Sequence, residues 1–308
     1  MSPAMTHRPD PAYERFNAQH EGAFADPVEP ADFPQRIVRY RNTRWAARTG
    51  LDTLSTAEWE AAFARFEPLA QNMPRPLAMR YHGHQFRSYN PDIGDGRGFL
   101  FAQMRDDGGR LLDLATKGSG QTPYARTGDG RLTLKGGVRE VLAATMLEAQ
   151  GVYTSKPFAL FETGEQLARN DEPSPTRGSV LTRLGHSHIR FGTFQRLTFR
   201  NEHDLMRALG RHCVETYYPD LLDHDEMVAA FYDRVVAASA RLAATWMAAG
   251  FVHGVLNTDN LTVTGESFDY GPWRFLPTSD PGFTAAYFDH NGLYAYGRQP
   301  ESVAWALS

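Results

Sequence analysis

Apolar and polar positions alternate with two different periods along the chain, and the period changes partway. Residues 1–35 are rich in Pro, Ala and Asp and predict an extended lead-in. Trp59, Ala62, Phe63 and Phe66 recur at helical spacing and predict a helix over 56–70, with Thr56 able to cap it. Residues 71–96 scatter Pro, Gly, Asn and Asp and read as loop. Strand patterns follow at 98–104 and 110–117, joined by the turn signal Asp106-Asp107-Gly108-Gly109. After a Gly-rich polar stretch at 118–137, Val138, Val141, Leu142 and Leu147 set the apolar face of a helix over 138–150, closed by Gly151. Further strands are expected at 158–161, 179–184 and 261–264, and further helices at 202–218 and 225–249. A last helix begins at 301.

Strands dominate the first half and helices the second, with one helix set among the strands. That order predicts an α+β, bilobal, protein-kinase-like fold with a strand-rich N-lobe and a helix-rich C-lobe. It does not fit the regular alternation of a doubly wound sheet. The expected division is a lead-in over 1–80, the N-lobe over 81–165 and the C-lobe over 166–308, with a C-terminal part that looks short.

Composition narrows the partners. The chain has 308 residues, a formal net charge of −4 and 42% hydrophobic residues, enough to bury a core. No basic excess points to nucleic acid, and no apolar run is long enough to span a membrane. A single cysteine, Cys213, rules out an internal disulfide and a cysteine-based zinc site, and suits the reducing cytoplasm. The first eleven residues show no signal- or transit-peptide pattern.

Four elements of chemistry then fall in one order. Gly94-Asp95-Gly96-Arg97-Gly98 precedes a strand, where glycines allow backbone N–H groups near phosphates and Arg97 offers a bidentate phosphate partner. Alone, such a run is as well read as a turn. Lys117 ends the returning strand, and Glu140 lies 23 residues on in the next helix. Lysine at that strand pairs phosphates and a helix glutamate in kinases. Solvation of Lys117 and first-turn macrodipole complementarity at Glu140 are the plainer readings. Asn260 follows His253 by seven residues, the spacing of the kinase catalytic loop, but Val255 stands where the catalytic Asp belongs, and Asp259 lies beside the Asn. Asp269-Tyr270-Gly271 comes nine residues later, and an Asn oxygen with an Asp carboxylate suits Mg²⁺ or Mn²⁺. Arg183, Arg190 and the turn at Asp129-Gly130 are further candidates for the nucleotide. His82, His84, His186, His188 and His290 read as structural, and Trp246 and Trp305 as core.

With these residues in place, the chain resembles the selenoprotein O (SelO) family of protein adenylyltransferases. The matching stretches include Gly83-His84-Gln85-Phe86, Gly94 to Gly98, Lys117 to Arg126, Gly128 to Arg131, Arg139-Glu140, Ser187 to Gly192, His253 to Asn260 and Asp269 to Pro272. The resemblance implies a kinase-like fold that binds ATP flipped relative to ordinary kinases. It implies transfer of AMP to Ser, Thr or Tyr hydroxyls of proteins, with loss of pyrophosphate. It implies ATP contacts from Gly94, Gly96, Arg97, Lys117, Asp129, Gly130, Arg183, Arg190 and Asp269. Asp259 would accept the proton, Asn260 and Asp269 would hold Mg²⁺ or Mn²⁺, and Lys117 would pair with Glu140. An ordinary phosphotransferase and a non-catalytic nucleotide-binding pseudokinase are the competing readings.

Overall fold

The computed structural model describes residues 6–170 and 172–308; residues 1–5 of the expected lead-in lie outside them. The chain divides into two units. The first takes residues through Arg80, Asp92–Val141 and Lys156–His188; the second takes Tyr81–Pro91, Leu142–Ser155 and Ile189–Ser308.

An eight-stranded antiparallel sheet organises the first unit. Its strands are β1 (Ala25–Pro27), β2 (Ile37–Arg41), β3 (Leu77–Met79), β6 (Leu100–Arg105), β7 (Leu111–Lys117), β8 (Leu132–Thr133), β9 (Lys156–Leu167) and β10 (Thr176–Gly185). The order is β1-β3-β6-β7-β10-β9-β2, with β8 beside β10. The hairpin expected at 98–117 is β6–β7, while the strands expected at 158–161 and 179–184 are the middles of longer ones. The lead-in is not merely extended. It contains helix α1 (Ala12–Gln19), and β1 and β2 join the sheet. The backbone donors of the flanking strands β3 and β9 find their partners there.

Helix α2 (Thr43–Thr49) precedes α3 (Thr56–Ala64), which is shorter than expected and capped by Ser55, not Thr56. Ser55 Oγ accepts from the Glu58 N–H at 3.3 Å while the Glu58 carboxylate accepts from the Ser55 N–H at 2.8 Å, a reciprocal capping box. Ser55→Ala is expected to cost about 1 kcal/mol in urea unfolding, the usual value of such a cap. Beyond α3, Phe66 turns into the left-handed region (φ 56°), ending the helical run while keeping its ring in the core. There Trp59 stacks on Phe158 at 5.2 Å, with Phe63, Phe66, Phe99 and Phe101 around them. Each such buried ring contributes roughly 1.5–3 kcal/mol.

Helix α4 (Leu134–Ala149) starts before the expected 138, and its apolar face is not the expected one. Val138 and Leu142 are 41% and 56% exposed. The buried positions are Gly137, Glu140, Ala143, Ala144 and Leu147, spaced as one helical stripe. A Cβ on Gly137 would lie 2.6 Å from the Leu160 side chain, so this glycine lets the helix approach the sheet closely. Small residues rather than large apolar ones therefore seat the helix. Glu140 lies in its second turn, so first-turn macrodipole complementarity does not explain it.

The second unit contains the β4–β5 hairpin (Gly83–Gln85, Ser88–Asn90), helices α5 (Phe191–Phe199), α6 (His203–Tyr217), α7 (Met227–Ala248) and α8 (Gln299–Leu307), and the pair β11–β12 (Phe251–Val252, Arg274–Phe275). The helices expected at 202–218, 225–249 and 301 appear as α6, α7 and α8. Residues 261–264 form no strand; Thr262 makes an isolated bridge to Arg190 and the chain turns. Trp246 is fully buried and donates to Ser267 Oγ at 3.0 Å, whereas Trp305 is only half-buried. Among the described residues, no helix is long and apolar enough to cross a membrane.

Candidate active site

In the first unit the candidate residues gather at the end of β7. Lys117 faces Leu181 of β10, and Arg183 sits two residues along that strand opposite Ala115. Positions two apart share a face, so the two cations emerge side by side. Glu140 meets both. Its Oε1 accepts from Lys117 Nζ, and its Oε2 lies 3.7 Å from Arg183. All three residues are buried, at 6%, 2% and 5% exposure for Lys117, Glu140 and Arg183. Two cations and one carboxylate thus meet in a poorly solvated place.

The Gly-rich segment runs beside this trio. A Cβ on Gly96 would lie 2.8 Å from the Tyr124 carbonyl, and one on Gly94 2.5 Å from the Tyr124 ring. The Gly118 N–H donates to the Arg97 carbonyl at 2.6 Å, tying the segment to the residue after Lys117. The Arg97 side chain is exposed and has no partner among the described residues. Gly130 is left-handed (φ 70°), and its Cβ would fall 2.3 Å from the Gln121 nitrogen, so only glycine fits. Asp129 is engaged by the protein itself: Arg169 donates to its carboxylate at 2.6 and 3.1 Å. Partial burial opposes its charge, but Arg169 and the Arg131 N–H hold it below the usual carboxylate range.

A second set gathers in the second unit. His253 anchors it: its N–H donates to Gln299 at 2.9 Å and its Nε2 is 3.1 Å from the Phe268 carbonyl, joining the loop at 253–260 to the segment before Asp269. Asn260 donates from Nδ2 to Asp269 Oδ2 at 3.2 Å. Asp269 has φ 62°, a conformation costing a non-glycine residue on the order of 1–3 kcal/mol, and such strain concentrates at working sites. Arg190 caps α5 with its guanidinium over the Tyr81 ring at 4.2 Å and the Phe268 ring at 5.2 Å. Its charge also acts on Asp259.

The carboxyl of Asp259 is strongly perturbed. Burial pushes it up to about 6; Arg190 opposes this, Asp269 adds to it, and the Gln85 amide opposes it again. Its Oδ1, like Asn260 Oδ1, is buried without a hydrogen-bond partner. Orphaned buried oxygens need an explanation, and an absent ligand is one. For a divalent cation the donor set fits: Asn260 Oδ1 and the Asp269 carboxylate are hard oxygens, and Mg²⁺ habitually takes few protein ligands beside water and phosphate.

Two of the histidines set aside as structural, His188 and His82, have side-chain hydrogen-bond partners. His188 sits 3.1 Å from Asp113, and His82 is 2.8 Å from the Tyr89 hydroxyl. Burial, with Arg110 nearby, depresses His186 to about 4. Sequence reasoning gave no role to Asn257, Thr258, Gln195 or Tyr294, which hold the 257–259 loop by side-chain bonds. Asn257 and Thr258 fall within the matching stretch His253 to Asn260, and their partners His84 and Phe86 fall within Gly83-His84-Gln85-Phe86, another matching stretch.

The family model described as protein adenylyltransferase SelO matches residues 10–308, and the chain belongs to that family. It is 54% identical over 301 residues to the protein nucleotidyltransferase YdiU of Synechococcus elongatus, covering 97% of this chain and 60% of that protein. The protein of the same name from Trichormus variabilis is 51% identical over 308 residues, and that from Cereibacter sphaeroides 41% over 305. The chain thus spans about 60% of the length of these relatives.

Proposed function

We propose that this chain carries the nucleotide-binding and catalytic residues of a kinase-like protein adenylyltransferase, moving AMP from ATP to Ser, Thr or Tyr hydroxyls of proteins. The observation that carries the reading is the pair of orphaned oxygens on Asp259 and Asn260, beside an Asp269 held in a strained conformation. Membership of the SelO family supports it.

In this reading Lys117 and Arg183 bind phosphate oxygens, joined by Arg97 and the backbone around Gly94, Gly96 and Gly130. Asp129, turned to Arg169, contributes to the nucleotide through its turn. Asn260 and Asp269 would hold Mg²⁺ or Mn²⁺, which supplies neutralisation of phosphate charge. Arg190, stacked and fixed, adds a cation beside Asp259. The acceptor hydroxyl oxygen bonds to the α-phosphorus as the bond from that phosphorus to the bridging oxygen breaks. The hydroxyl proton passes to Asp259, and pyrophosphate leaves with the electron pair. Val255, a hydrocarbon where a kinase places its base, cannot take that proton. General-base assistance contributes roughly 10²–10⁴-fold, so most acceleration falls to the charge clamp.

The test runs α-labelled and γ-labelled ATP side by side with protein acceptors. Label from the α position alone is the expected result. Label from the γ position would make the chain a phosphotransferase, and ATP binding without either would make it a pseudokinase.

A further inference from the structure

Residues 120–130 form a strap laid against the Gly-rich segment. Its base is pinched twice: the Gly120 N–H donates to the Gly130 carbonyl at 3.1 Å, and Gln121 Nε2 donates to the Gly128 carbonyl at 2.8 Å. Its tip is Tyr124. The Tyr124 ring occupies the space a Cβ on Gly94 would need, and the Tyr124 carbonyl lies against Gly96. Thr122 Oγ1 donates to the Asp95 carbonyl and accepts from the Tyr124 N–H at 3.1 Å. One strap therefore carries Gly130 at its base and holds Gly94, Asp95 and Gly96 with its tip.

The Tyr124 hydroxyl is fixed from the other side. It donates to Asp26 Oδ2 of β1. Arg80 grips the same carboxylate with a terminal nitrogen and with Nε, the latter at 2.9 Å from Oδ2. Burial pushes the phenol up to about 12, Asp26 adds to this and Arg80 opposes it, so the hydroxyl keeps its proton and remains a donor.

Arg80 directly follows Met79, the last residue of β3, and Met79 holds the opposite flank of the Gly-rich segment. Its N–H donates to Asp95 Oδ2 at 3.1 Å, and its carbonyl accepts from the Asp95 N–H at 3.1 Å. Asp26 thus closes a circuit of contacts within the first unit. One arm runs through Arg80 and Met79 to Asp95; the other runs through Tyr124 to Gly94 and Gly96. Glycines allow a backbone to approach phosphates closely but bring no rigidity of their own. Ordering a loose loop on binding lowers affinity, so a loop fixed beforehand binds better. Here the stiffness comes from side chains on either flank.

We propose that Tyr124, anchored by Asp26, is a positioning residue that holds the backbone of residues 94–96 and the Gly130 turn in one frame for ATP phosphates. The proposal rests on the reading of those glycines as phosphate contacts. Tyr124 acts through them and not on ATP itself. A hydrogen bond to a charged group is worth roughly ten- to a hundredfold in an equilibrium, and ATP affinity inherits part of that.

The experiment measures KM for ATP and kcat of AMP transfer, ATP affinity by calorimetry and thermal melting. It compares the full chain with Tyr124→Phe, Asp26→Asn, the two combined, and Gly96→Ala. Tyr124→Phe keeps the ring on Gly94 and removes only the hydroxyl. It is expected to raise KM for ATP and weaken ATP binding about tenfold, with kcat within about threefold of wild type. Asp26→Asn should raise KM in the same way. The combined variant should be no worse than Asp26→Asn alone, because both substitutions act through one hydrogen bond. If Tyr124→Phe does not fold, Asp26→Asn decides. Wild-type ATP affinity in Tyr124→Phe, or a fall in kcat and melting with KM unmoved, overturns the positioning role. Gly96→Ala tests the reading beneath it, since its Cβ would meet the Tyr124 carbonyl at 2.8 Å. Wild-type ATP affinity in Gly96→Ala removes the glycines from the nucleotide site, and the proposal falls with them. Weakened binding in Gly96→Ala beside wild-type binding in Tyr124→Phe sinks the positioning role alone.

Discussion

Asp269→Ala is expected to bring AMP transfer below detection, a loss of roughly a thousandfold or more, since a bound cation supplies several kcal/mol of charge stabilisation at a phosphoryl centre. The substitution removes one of the two protein oxygens proposed for the metal and takes from Asn260 Nδ2 its acceptor at 3.2 Å. A loss of activity alone would not separate chemistry from folding, but the backbone at this residue does. With φ at 62°, Asp269 sits where glycine is at ease. Asp269→Gly is therefore expected to be as inactive as Asp269→Ala yet more stable than that variant, by up to about 1 kcal/mol, because glycine relieves the strain that alanine keeps. Transfer from α-labelled ATP and urea unfolding, measured on both variants, check this. Mn²⁺ binding in the presence of ATP, followed by electron paramagnetic resonance, should be lost in both. Transfer surviving in either would remove Asp269 from the metal site.

Much of the candidate site was readable because its residues are chemically uncommon where they stand and lie close together in sequence. A Lys at a strand end, a Glu one helix later and an Asn seven residues after a His are local spacings, and local spacings survive folding. What escaped depends on contacts between distant segments. The pairing of Arg183 with Glu140 follows from the β7–β10 register, which no local pattern encodes. The β4–β5 hairpin was read as loop because its connection is Phe86-Arg87, which carries none of the usual turn residues; tertiary bonds to Asn257 and Thr258 hold it there. The buried stripe of α4 was misplaced for a related reason. Periodicity finds large apolar residues, but this helix packs through Gly137 and Ala144 so that a charged residue, Glu140, can be buried between two strands. The first 41 residues hid two strands, because short sheet strands completed by distant partners carry too few positions to show a period.

The Lys117–Glu140–Arg183 trio sets the second large effect, and it is asymmetric. Lys117→Met removes one of the two cations that meet Glu140 and leaves Arg183 facing it. The fold should lose little stability, while AMP transfer falls roughly 10²–10³-fold through loss of a preorganised cation at the phosphates. Glu140→Gln does the opposite: it takes from both buried cations the carboxylate they share, and breaking a buried ion pair from one side costs roughly 3–5 kcal/mol. That variant should unfold markedly earlier in urea and recover in part when ATP is added, since the triphosphate supplies the missing negative charge. In wild type the same logic makes ATP raise the melting temperature, and Lys117→Met should shrink that rise. A cluster that served only to hold α4 against the sheet would respond differently, with both substitutions costing stability and neither responding to ATP. Melting curves of the three proteins with and without ATP, set beside their transfer rates, separate the two cases. Unchanged transfer in Lys117→Met would show that the trio serves the fold and not a nucleotide.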